Sequence, residues 1–86
     1  MDEYAVVVAR SARKELERLD HSLSSRILRR IERLAQTPRP DGCRKIQGAA
    51  NLWRIRVGDY RVLYAVDDAQ RVVDVIAVRN RSDAYR

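Results

Sequence analysis

Two stretches in the second half of the chain alternate apolar and polar residues with a period of two. In Leu52-Trp53-Arg54-Ile55-Arg56-Val57 and in Tyr60-Arg61-Val62-Leu63-Tyr64, the residues Trp53, Ile55, Val57, Tyr60, Val62 and Tyr64 fall on one side of an extended backbone. The intervening Gly58-Asp59 is a two-residue hairpin turn. It pairs Val57 with Tyr60 and sets Arg56 directly across from Arg61, with Arg54 one pleat further along. A three-residue loop with a bulge would shift that pairing by one and separate the two arginines. The apolar side of the hairpin needs a cover, and the first half of the chain supplies one. Ser11 is placed to cap a short helix carrying Ala12, Leu16 and Leu19 at helical spacing. Asp20 is placed to cap a second helix, along which Leu23, Ile27, Leu28, Ile31, Leu34 and Ala35 form an apolar stripe.

Residues 4–9, Tyr-Ala-Val-Val-Val-Ala, read as a short strand covered by other elements, and Val72–Val78 as the last strand. Between helix and hairpin lies Thr37-Pro38-Arg39-Pro40-Asp41-Gly42. It stops the helix, because each proline restricts the residue before it and Asp-Gly favours a turn. The predicted order is therefore strand, two-helix hairpin, then a three-stranded antiparallel meander (β-α-α-β-β-β), an α+β fold.

Eighty-six residues suffice for one core, and neither half could bury its apolar face alone, so residues 1–86 read as a single domain. The 18 basic and 12 acidic residues leave a net charge of +6, which favours nucleic acid or another anionic surface as partner. Arg26, Arg29, Arg30 and Arg33, opposite the apolar stripe, read as a solvated helix face, the ordinary place for long basic side chains. Trp53 and Tyr64 read as packing residues, with base stacking the alternative for an aromatic near a sheet edge. A single cysteine, Cys43, and a single histidine, His21, exclude the usual zinc constellations and fit a reducing, cytoplasmic setting. No apolar run reaches the length of a membrane span.

Charge and strand register together point to a site. Directly opposed like charges destabilise a sheet, so an Arg56/Arg61 pair implies an anion between the guanidinium groups, and the planar fork of arginine suits phosphate. Arg44 and Lys45, just before the hairpin, are expected to line the approach to that face.

The segments S-A-R-K-E-L, P-R-P-D-G-C-R-K-I-Q-G, L-W-R-I-R-V-G-D-Y-R-V-L-Y and the terminal R-S-D-A-Y-R occur in this order along nearly the whole chain. Together they resemble the RelE/ParE superfamily of toxins from toxin–antitoxin modules, and the RelE-like branch more than the ParE-like branch. The resemblance implies a RelE-like fold and a ribosome-dependent endoribonuclease that cuts messenger RNA. It implies a cognate antitoxin as partner, with the ribosome and mRNA as targets, and no metal, organic cofactor or small-molecule ligand. By the family pattern Arg54 and Arg56 match two basic residues of the second strand. Arg61 matches the arginine of the D-Y-R-V segment, Arg81 the arginine after the last strand, and Tyr85 the C-terminal tyrosine.

On this reading Arg61, Arg81 and Tyr85 are the catalytic set, and Arg54, Arg56 and Lys45 bind RNA phosphates. Asn80 stands where many relatives have a histidine, and Asn cannot shuttle a proton. Tyr85 could serve as a base, its phenol lowered by surrounding guanidinium groups, or stack on the base beside the cut. Asp59 reads as a turn residue and Asp83 as a cap or arginine partner. Two other functions are the alternatives: a ParE-like poison of DNA gyrase, against which the presence of the whole arginine and tyrosine set counts, and an RNA-binding module without catalysis, in which the same arginines only grip phosphates. An exposed apolar patch on the helical hairpin or a sheet edge, flanked by basic residues, is where an acidic amphipathic antitoxin segment is expected to dock.

Overall fold

A computed structural model describes residues 3–80, which run in order β1 (Ala5–Val8), α1 (Arg10–Arg18), α2 (His21–Arg33), β2 (Arg44–Lys45), β3 (Leu52–Val57), β4 (Tyr60–Asp67) and β5 (Val72–Asn80). The strands form one five-stranded sheet in the order β1-β5-β4-β3-β2, antiparallel except for the parallel pair of β1 and β5.

The period-two pattern decides which face of the sheet is buried. Ile55, Val57, Val62, Tyr64, Val66, Val73, Val75 and Val78 join Ala12 and Leu16 of α1, Ile27 and Ile31 of α2, and Leu34 in one core, with Trp53 and Tyr60 packed against it. Both helices therefore cover the same face, and the opposite face carries the polar half of the alternation. Asp20 caps α2 as expected, its carboxylate accepting from the backbone N–H of Leu23 at 3.3 Å.

The β3–β4 hairpin has the two-residue turn read from the sequence: Val57 pairs with Tyr60 and Arg56 with Arg61. Of the two turn residues only Gly58 takes a positive φ, 60°, as a II′ turn requires at its first position. A Cβ added there would meet nothing closer than the Arg26 guanidinium at 3.6 Å, so backbone conformation and not space demands glycine. Gly58→Ala is expected to cost roughly 1 to 2 kcal/mol, read as a shift in the urea midpoint with an unchanged slope.

Several expectations are corrected. β1 is an edge strand: Val6 and Val8 pack on the core, but Val7 is 51% exposed. Leu28 is 39% exposed, because the turn-by-turn spacing that aims Ile27 and Ile31 at the sheet rotates Leu28 toward the rim between the helices. Ser11 lies within the first turn of α1, which begins after Ala9 with no side-chain cap. Its hydroxyl instead donates to the Ile76 carbonyl at 3.0 Å. That carbonyl belongs to a bulge, where Leu63 pairs with Ala77 and Tyr64 with Val75, leaving Ile76 without an opposite number.

The last strand also runs two residues past the predicted Val78, to Asn80. Finally, β2 adds a two-residue edge to the meander, held by the pairing Arg44–Arg54 and Lys45–Trp53 and by the Ile46 N–H to the Leu52 carbonyl at 2.8 Å.

Candidate phosphate-binding face

Among the described residues, the face of the sheet turned away from the helices gathers arginines at one end. Residues directly opposite on antiparallel strands project to the same side, so the register fixes their grouping. Arg61 on β4 lies between Arg56 on β3 and Arg79 on β5, giving a row of three across adjacent strands. One pleat along β3, Arg54 pairs with Arg44 on β2. Arg44, Arg54 and Arg56, with Gly42, line an open cleft of about 370 Å³. Arg54 and Arg61 are half-buried, whereas Arg44, Arg56 and Arg79 are exposed. Half-burial holds the stems of Arg54 and Arg61 against the sheet.

Among the described residues, the structure brings together part of the sequence-derived set. Arg54, Arg56 and Arg61 share the face as expected. Lys45 does not: it pairs with Trp53, whose ring packs on the core side, so Lys45 leaves the strand on the helix-bearing side and its neighbour Arg44 takes its place. Arg79 was not among the sequence candidates. The apolar pattern of the last strand stops at Val78, and only the pairing of Arg79 with Arg61 brings it into the row. Arg81 and Tyr85 lie outside the described residues. The Arg26 guanidinium of α2 reaches over the Gly58 turn, so one member of the arginine face of α2 stands at the rim of the hairpin beside the row.

The loop leading to Arg44 is held by side chains from three directions. Arg39 forms an ion pair with Asp68, Nη2 to Oδ2 at 2.8 Å and Nη1 to Oδ1 at 3.2 Å, and its guanidinium lies 5.1 Å from the centre of the Trp53 ring. The Tyr4 hydroxyl donates to the same carboxylate at 2.6 Å. The buried Tyr64 donates its hydroxyl to the Pro38 carbonyl at 2.7 Å. Burial, then the neighbouring Cys43 thiol, push the Tyr64 phenol above its ordinary range, so it stays a donor.

The hydrogen bonds from Arg39, and then from Tyr4, pull the Asp68 carboxyl from 3.8 down to about 2. A depressed carboxyl contributes its stability above the unfolded value and loses it as the pH falls through the folded value. The Tm difference between the parent and Asp68→Asn is therefore expected to be constant above about pH 5. It should close between pH 4 and pH 2 in a thermal unfolding series.

Comparison with known proteins places this architecture among the toxins of bacterial and archaeal toxin–antitoxin pairs. Residues 6–85 match the family described as the ParE toxin of the type II toxin–antitoxin system parDE. Toxin RelE of Mycobacterium tuberculosis is 32% identical over 91 residues, spanning 96% of this chain and 87% of the relative. Among solved structures, the archaeal RelE–RelB complex from Pyrococcus horikoshii superposes with a TM-score of 0.82 at 29% identity, covering 94% of this chain and 97% of that one. The isolated RelE toxin of Escherichia coli does so with a TM-score of 0.78 at 27% identity, covering 95% and 90%. The chain belongs to the RelE/ParE superfamily of type II toxins. Among its described residues no helix is long and apolar enough to cross a membrane.

Proposed function

We propose that this toxin is a ribosome-dependent endoribonuclease that cuts messenger RNA and so blocks translation. The observation that carries the reading is the row Arg56–Arg61–Arg79, three guanidinium-bearing positions directly opposed across adjacent strands on the face turned away from α1 and α2. A sheet tolerates such a row best with an anion upon it. In cleavage of RNA by its own 2′-hydroxyl, that oxygen attacks the adjacent phosphorus, the 5′-oxygen leaves, and a 2′,3′-cyclic phosphate remains. The step needs an in-line arrangement, removal of the hydroxyl proton, neutralisation of charge on the phosphorane, and a proton for the departing oxygen. Arginine serves the third need, since its guanidinium stays cationic and donates in pairs to phosphate oxygens. Arg61, central in the row, is assigned that task together with Arg81. Arg54 holds a flanking phosphate, Arg56 joins the clamp on the reacting one, and Tyr85 is the group assigned to proton transfer or to stacking beside the cut.

Such a site is rich in electrostatic stabilisers and poor in groups that exchange protons near neutral pH. Orientation supplied by the ribosome offsets that weakness, because fixing the in-line geometry removes much of the entropic barrier. The toxin acts in the cytoplasm, and a cognate antitoxin neutralises it, a pairing supported by the RelE–RelB complex of the archaeal relative. The groove between α1 and α2, lined by Val8, Leu16 and Leu28 with Arg13, Glu17 and Ser24 at its edge, offers an apolar floor to an amphipathic segment of the antitoxin.

The test is to add purified protein to a translating extract and map the mRNA ends. New ends within codons that depend on ribosomes support the reading, and intact mRNA overturns it. The match to the ParE family favours a second reading, a poison of DNA gyrase. Inhibited supercoiling with intact mRNA would select it.

A further inference from the structure

The two arginine rows differ in position along β3 by two residues, and this spacing has a direct chemical reading. We propose that Arg44 and Arg54 form a second phosphate site beside the Arg56–Arg61–Arg79 row, so that the face holds two successive phosphates of an extended single strand of RNA. The inference rests on the endoribonuclease reading and adds to it the path of the substrate and a residue, Arg44, that the sequence did not single out as a phosphate ligand.

Three observations converge on it. Arg44 pairs with Arg54, and Arg56 pairs with Arg61, so each row sets two guanidinium groups one strand spacing apart on the same face. A strand spacing of about 4.8 Å lets two forked heads close on a single phosphate from either side. The centres of the two pairs are displaced by two residues along β3, about 6.7 Å, and by one strand spacing across it, about 4.8 Å, so they lie roughly 8 Å apart, a span that long arginine side chains can narrow to the spacing of neighbouring phosphates of an extended strand. The cleft of about 370 Å³ bounded by Gly42, Arg44, Arg54 and Arg56 joins the rows without an intervening side chain from the helices. The substrate therefore runs obliquely across β3, with the reacting phosphate between Arg56 and Arg61 and its neighbour toward the β2 edge.

Arg44 is a binding residue in this scheme, and its loss should be felt only by a ligand long enough to reach it. The probes are a diribonucleotide with one internucleotide phosphate and a triribonucleotide with two, unphosphorylated at their ends. Each is titrated into the full chain at several salt concentrations and followed by amide chemical shifts. The parent protein is expected to bind the longer probe more tightly. Arg44→Ala should weaken that binding about fivefold and lower its salt slope by about 0.7, while leaving the shorter probe unaffected. Arg44→Lys should restore most of the loss, and unchanged amide spectra of both free variants would show that the edge strand is intact.

Equal weakening of both probes by Arg44→Ala, no weakening of either, or equal affinity of the parent for the two probes would each overturn the second site. In the translating extract Arg44→Ala should raise the ribosome concentration needed for half-maximal cutting and leave the maximal rate unchanged. An extract with uncut mRNA but length-dependent probe binding would remove the nuclease reading and leave the two-phosphate track standing.

Discussion

Arg61→Ala is expected to reduce mRNA cleavage in a translating extract by about 10²- to 10³-fold, the scale on which removal of one preorganised charge-stabilising donor acts. Arg61 occupies the middle position of its row, with Arg56 on one side and Arg79 on the other, and the proposed reaction sets the phosphorane at that position. The same substitution should leave the fold nearly untouched. Losing the half-buried stem removes some packing, and losing the central charge relieves repulsion from both flanks at roughly 0.2 to 1 kcal/mol per opposed pair. The opposing changes should keep the stability of the variant within about 1 kcal/mol of the parent by urea unfolding. Lost cutting in a variant of parental stability separates catalysis from folding. Parental cutting rates would remove Arg61 from the reaction.

The second large effect is structural. Tyr64 is fully buried on β4 opposite Trp53, inside the sheet–helix core, and its hydroxyl reaches the Pro38 carbonyl at 2.7 Å. Tyr64→Ala should destabilise the protein by about 3 to 5 kcal/mol, a large part of the 5 to 15 kcal/mol typical of a whole domain. Tyr64→Phe keeps the ring and removes only the hydrogen bond, for about 1 kcal/mol. The ratio of the two losses, measured by urea unfolding, divides the contribution of Tyr64 between filling the core and tethering the loop that carries Arg39 to Gly42. A phenylalanine variant as unstable as the alanine variant would contradict this division.

Much of the architecture was legible because short-range rules governed it. The alternation around Trp53 and Tyr64 showed which face is buried, Gly58-Asp59 defined the turn and hence the Arg56–Arg61 pairing, and Asp20 marked the start of α2. What escaped was set by distant partners. A two-residue strand has no period of its own, so nothing in Arg44-Lys45 could reveal that the first of the two, and not the second, joins the arginine face. The bulge at Ile76 shows itself only through the registers on its two sides, and Ser11 serves the bulged residue's carbonyl across 65 positions of chain instead of capping its own helix. Arg79 looked like the start of a tail because strand character was judged by apolar alternation, whereas its place in β5 is fixed by hydrogen bonding to β4.

Stacking like charges across neighbouring strands makes the empty toxin a strained receptor, and thermodynamic linkage turns that strain outward. Any polyanion that binds the native rows and not the unfolded chain adds RT ln(1 + L/Kd) to the folding free energy, L being its free concentration, a gain that keeps growing with the logarithm of that concentration above Kd. Relief of the repulsion between Arg56, Arg61 and Arg79 is part of its affinity. If the proposed function holds, a toxin loaded with nucleic acid would thus also be harder to unfold.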